Sequence, residues 1–206
     1  MITTVPLRGR RDHLRRSLAA MRDLVSRGSK DPEVRALAVR IVGSCAERDV
    51  ACEARAIHRF LRARVRYVRD PLDTEWIQDL GALLASGAGD CDDATVAVLT
   101  LGAALGIPGR AVLLTRPPRR WPSHVYAELL DRNAARWLPV DPARPPGVTF
   151  LPTDRRATFP MVPGPSTGLG ELPPALGIGA LAVGLFLLAG GRRPRRFAAC
   201  TTSARP

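Results

Sequence analysis

The sequence predicts an α+β domain with helices first and a small antiparallel sheet second, on two observations. Apolar residues recur at helical spacing from Leu14 to Leu61 and again after Cys91. Short apolar runs bounded by turn residues then follow from Ala111 to Val140. With 206 residues, 46% hydrophobic and 24% charged, the chain has room for one packed domain and is not disordered throughout.

The first helix is expected over about residues 12–27, where Leu14, Leu18, Met21 and Val25 alternate with arginines. Asp31-Pro32-Glu33 reads as N-cap, first-turn proline and dipole-favoured acid, opening a helix with Val34, Leu37, Ala38, Ile41 and Val42 on one stripe. A third helix covers Ala51 to about Arg64, with Ile57, Phe60 and Leu61 inward and Arg55, Arg59 and Arg62 on a solvated face. His58 in that helix and His13 in the first read as surface residues. Cys45 and Cys52 would lie about 10.5 Å apart along one continuous helix, too far for a disulfide. Unless the helix breaks at Asp49 they are free thiols, which points to a reducing compartment.

An extended run at Val65–Val68 and an acidic turn over Asp70–Glu75 precede the glycine-rich Gly87-Ala88-Gly89. The apolar helix that follows, closed by Gly106 and Pro108, has Cys91 in its first turn. The runs Ala111–Leu114, His124–Leu130 and Trp137–Val140 are the strands, with Asp131-Arg132-Asn133 as the turn between the last two.

The net charge of +12 is concentrated at the ends, with an excess of six positive charges in residues 1–30 and five in residues 192–206. A domain-wide nucleic-acid surface would put that excess in the folded middle, so nucleic acid is not the expected partner. Neither the cysteines nor the histidines have metal-ligand spacing, and neither a metal nor a cofactor is expected.

Chemistry concentrates at Cys91. Unpaired N–H groups and the dipole at a helix N-terminus lower a thiol's pKa and also receive an oxyanion. Asp92 and Asp93 suit the same dipole as caps, but act on the thiol in the opposite direction. A thiolate nucleophile needs an imidazole, and the imidazole a group that fixes its tautomer. His124 begins one extended run and Asp141 ends the next, so antiparallel pairing brings them to one sheet edge.

Three motifs stand in order: Gly89-Asp90-Cys91-Asp92-Asp93, Ser123-His124-Val125-Tyr126-Ala127-Glu128, and Trp137-Leu138-Pro139-Val140-Asp141-Pro142, with 33 residues from cysteine to histidine and 17 from histidine to aspartate. Together they resemble the transglutaminase-like superfamily of papain-like cysteine enzymes over about residues 31–142. The resemblance implies a papain-like core, a catalytic triad of Cys91, His124 and Asp141, and a thioester formed on a peptide or isopeptide amide. Water then makes the enzyme a cysteine protease or amidase, and an amine makes it an acyltransferase. Trp76 is the candidate for shaping the acyl pocket or donating to an oxyanion. The expected partner is a protein or peptide substrate. The rival readings are a non-catalytic peptide-binding scaffold on this fold, and binding of nucleic acid or an anionic surface by the basic N-terminal helix.

The organisation expected is a basic helix over 1–30, the catalytic domain over 31–142, a Pro/Gly-rich linker over 143–171, a transmembrane helix over 172–191 and a basic tail over 192–206. The twenty residues from Leu172 to Gly191 carry no charge, enough for a helix of about 30 Å. The arginines after them place that end in the cytoplasm by the positive-inside rule. The absence of a secretory segment before Arg8 argues instead for a cytoplasmic catalytic domain on the membrane, which is the expectation taken.

Overall fold

The structure is a computed structural model, and it describes residues 1–5, 9–71, 74–144 and 154–162. Helix α5, Cys91–Ala104, is its centre, with every residue from Asp92 through Gly102 buried. A helix apolar on all sides needs neighbours all round. Helices α1 (Arg10–Gly28), α2 (Pro32–Val42) and α3 (Val50–Arg64) pack against it, as does the sheet strand β6 (His124–Asp131). The core so formed includes Met21, Ile57, Leu61, Leu99, Leu101 and Leu129.

The helix boundaries follow from their caps. Asp31 accepts from the Glu33 N–H ahead of Pro32, and Asp49 accepts from the Cys52 N–H at 2.9 Å. Between them the chain turns through residues 43–49, with Arg48 at φ 62°. That break folds Cys52 back beside Cys45, and the two form a disulfide with Cα atoms 5.7 Å apart. The free thiols expected at these positions are therefore corrected, and the argument from them to a reducing compartment falls as well.

The main sheet is antiparallel with strand order β7-β6-β5-β8, where β5 is Gly109–Thr115, β7 Arg136–Val140 and β8 Arg155–Val162. β8 is a second correction, because it lies within the stretch expected to be linker. It pairs along the whole of β5 and buries Met161, while the buried Asp154 just before it meets Arg116 at 3.3 Å. Of the small elements, only β2 (Arg66–Tyr67) was anticipated, within the extended run at Val65–Val68. β1 (Ile2–Val5) pairs antiparallel with β3 (Glu75–Gln78), and β2 pairs parallel with β4 (Ala88–Gly89). Helix α4, Leu80–Ser86, links β3 to β4 under an Asp79 cap.

The N-terminal helix is part of this core. Met21, Leu24 and Val25 are buried, while Arg16 and Arg27 pair with Asp12 and Asp23 at 2.7 and 2.8 Å on the outer face. No helix among the described residues is long and apolar enough to cross a membrane. The expected span over 172–191 and the tail over 192–206 lie outside the described residues, as does most of the 143–171 stretch.

The disulfide closes a short loop, and the loop-entropy argument gives it about 2 kcal/mol. The Cys45→Ser/Cys52→Ser double variant is expected to melt roughly 4–8 °C lower, measured by thermal denaturation. In the folded wild type, peptide mapping after alkylation should leave both cysteines unmodified until a reductant is added.

Candidate active site

Cys91 is the first residue of α5, and the chain is held there by a reciprocal cap. The Asp90 carboxylate accepts from the Asp92 N–H at 3.2 Å, and Asp93 accepts from the Asp90 N–H at 3.1 Å. Asp93 also accepts from the Gln78 backbone and side chain at 2.7 and 3.0 Å, which ties β3 to the start of α5. Gly89 is required here, because a Cβ on it would lie 2.5 Å from both Asp93 Oδ2 and Leu83 Cδ1. The three carboxylates Asp90, Asp92 and Asp93 lie close enough to surround a cation. Their oxygens, however, are engaged by the backbone N–H groups of residues 90, 92 and 93 and by Gln78, so they act as caps.

Cys91 is the one free cysteine among the described residues. Burial pushes its thiol pKa up, and Asp90 and Asp92 push it further, against an opposing hydrogen bond from the Val125 N–H. The sequence expectation of a thiol activated by the dipole alone is reversed, because burial and two adjacent carboxylates outweigh one helix end. A neutral resting thiol needs a base beside it.

His124, the first residue of β6, is 10% exposed and lines the same cavity as Cys91. Its Nε2 donates to Asp141 Oδ2 at 2.7 Å. That bond leaves Nδ1 as the basic nitrogen of the neutral ring, and the tautomer is fixed by the carboxylate. The register explains the meeting: Ala127 pairs with Val140 in β6 and β7, so His124 and Asp141 leave the sheet at one edge. Tyr126, fully buried one turn of the pleat further on, stacks near the imidazole with centroids 6.3 Å apart.

Asp141 is held from several sides. Arg144 Nε lies 3.4 Å from Asp141 Oδ2. From α3, His58 Nε2 donates to the carbonyls of both Asp141 and Arg144 at 3.2 Å, and an Arg62 guanidinium nitrogen donates to the Pro142 carbonyl at 3.3 Å. The expectation of His58 as a surface residue is corrected: it fastens the turn that carries Asp141. The i, i+4 spacing of His58 and Arg62 was the only signal in the sequence, and it does not distinguish a clamp from a solvated face.

The cavity at Cys91 and His124 has a volume of about 670 Å³. Glu75, Asp90 and Asp92 line it beside Cys91, and Trp121 supplies its aromatic surface. Trp76, the candidate for that role, is not among the lining residues. It is 42% exposed on β3, with its backbone N–H on Asp70, and the neighbouring Glu75 faces the cavity instead.

The fold is that of a known class. The family described as "Transglutaminase-like superfamily" matches residues 35–142, more than half of the chain. The protein belongs to that superfamily. Among solved structures it is similar to a proposed cysteine protease from Cytophaga hutchinsonii, at 21% identity and a TM-score of 0.44, over 54% of this chain and 37% of that one. It is also similar to a proposed protease from Parabacteroides distasonis, at 15% identity and a TM-score of 0.40, over 55% of this chain and 24% of that one. The chain thus spans well under half the length of either structure. No curated protein matches it.

If His58 positions Asp141, His58→Ala should lower the rate of Cys91 alkylation near neutral pH by about tenfold, while His58→Gln, which retains a donor, recovers part of it. In His124→Ala the alkylation rate should keep rising above pH 9, following the raised thiol pKa, whereas the wild type levels off earlier. A pH series with iodoacetamide, read by mass spectrometry, checks both.

Proposed function

We propose that this protein is a cysteine-dependent amide hydrolase acting on a peptide or isopeptide bond. The observation that carries the reading is the His124–Asp141 hydrogen bond at 2.7 Å in a cavity shared with Cys91. His124 Nδ1 takes the thiol proton as the Cys91 sulfur attacks the carboxamide carbon. The oxyanion is received by the Cys91 N–H, which has no intrahelical acceptor, while the N–H groups of Asp92 and Asp93 are held by the caps. His124 then returns the proton to the departing amine, leaving a thioester on Cys91. Water attacks that thioester with His124 as base, releasing the carboxylic acid and restoring the thiol.

Transamidation is the second reading, favoured by the carboxylates of Glu75 and Asp90, which line the cavity and attract a cationic amine acceptor to Cys91. A membrane tether through residues 172–191 belongs to the same proposal. The Cys45–Cys52 disulfide supports an oxidising side for the catalytic domain, the side that the arginines following the uncharged run also favour. Cleavage of the domain by protease added to sealed, right-side-out vesicles would support that placement, and protection would contradict it.

A panel of fluorogenic peptide amides tests the enzymatic reading. Cys91→Ala should abolish turnover, and Asp141→Asn should lower kcat at least about a hundredfold with the fold intact. Unchanged turnover in Cys91→Ala would refute the reading. Release of acid alone identifies hydrolysis, whereas incorporation of added cadaverine identifies transamidation.

A further inference from the structure

The wall of the cavity facing the sheet comes from outside the family match. Residues 35–142 carry the superfamily core, yet His13, Leu14, Ser17, Leu18 and Met21 of α1 all line the cavity that holds Cys91 and His124. Resting on the amide-hydrolase reading above, we infer that α1 determines substrate specificity, its Leu14 and Leu18 receiving an apolar side chain next to the scissile amide.

Leu14 and Leu18 stand four residues apart, on the same helix face one turn from each other. Both are half-buried and pack on the core while lining the cavity, and the buried Met21 lies one turn below. Leu113, Trp121 and Val125 add further apolar surface to the lining. An apolar side chain between these walls leaves water on both faces, whereas a charged one would lose its hydration there.

The charges in the cavity reinforce that choice. His13 Nε2 lies 3.6 Å from Glu75 Oε2, so the imidazole that α1 brings faces a carboxylate of β3. The carboxylates of Glu75 and Asp90 repel an anionic side chain beside Cys91. The arginines of the lining, Arg119 and Arg120, are exposed on the β5–β6 loop rather than on α1.

The wall is also fixed in place. β1, just before α1, pairs with β3, which carries Glu75, and α1 packs along α5. At Gly28 the approach is so close that a Cβ would lie 2.9 Å from Thr100 Cγ2. A rigid apolar wall discriminates better than a mobile one, because less ordering is required on binding.

The test compares two alkylating reagents at Cys91 in the full chain, N-(2-phenylethyl)iodoacetamide and iodoacetamide, each rate being normalised to that with free cysteine. In both, the sulfur displaces iodide and forms a thioether, so the ratio isolates recognition of the apolar tail. The wild type should favour the phenylethyl reagent by about tenfold or more. Leu18→Ser and Leu14→Asn should each reduce that preference at least about threefold, and Val39→Ser, an exposed position on α2 outside the cavity, should leave it unchanged. Melting curves establish folding, and Leu14→Asn carries the test should Leu18→Ser not fold. A wild-type ratio near one, or a preference unaltered in a folded α1 variant, overturns the inference while leaving the nucleophile intact. No labelling of Cys91 by either reagent refutes the hydrolase reading and the inference with it.

Discussion

The hydrogen bond from His124 to Asp141 is the contact on which the rest of the site depends. It joins the start of β6 to the end of β7, so it exists only in one register of that hairpin. A slip by one residue would turn every side chain of a strand to the other face and take His124 from the cavity. The hairpin turn is secured by Asp131, whose carboxylate accepts from the N–H groups of Asn133 and Ala134 at 3.1 Å, with Ala135 at φ 48°. At the other end His58 and Arg62 hold the backbone of the Asp141 turn from α3. The pair is therefore anchored by both the sheet and a helix.

The start of α5 balances two demands. Its capping carboxylates secure a buried helix whose first N–H groups would otherwise lack partners. The same charges and the same burial raise the thiol pKa of Cys91. A resident thiolate is therefore disfavoured, and in the proposed mechanism His124, with its tautomer fixed by Asp141, takes the proton as the sulfur attacks.

Much of this was legible in the sequence, for reasons tied to period and capping. The helices around Leu18, Leu37 and Ile57 have clear apolar stripes, Asp31-Pro32 marks a helix start, and Cys91 follows a glycine-rich turn. The meeting of His124 and Asp141 followed from hairpin geometry. β2 lies within the extended run read at Val65–Val68, whereas its partner β4 has two residues, too few to show a period. β8 was hidden because only Met161 in it is fully buried. The disulfide depended on the turn at Arg48, and the roles of His58, Glu75 and the face of α1 depended on tertiary placement. Trp76 was chosen for its residue type and its position before the cysteine, whereas the pleat of β3 directs Glu75 to the cavity.

The most direct test of the account is a double-mutant cycle on the acetylation of Cys91 by p-nitrophenyl acetate, with Cys91→Ala as the background. His124→Ala, Asp141→Ala and the double variant are compared with the wild type by stopped-flow rate and by the mass of the Cys91 peptide. If Asp141 acts only through His124, removing it from the His124→Ala protein changes the rate little, and the double variant matches the His124 single variant. Independent, multiplicative losses in the double variant would contradict the account.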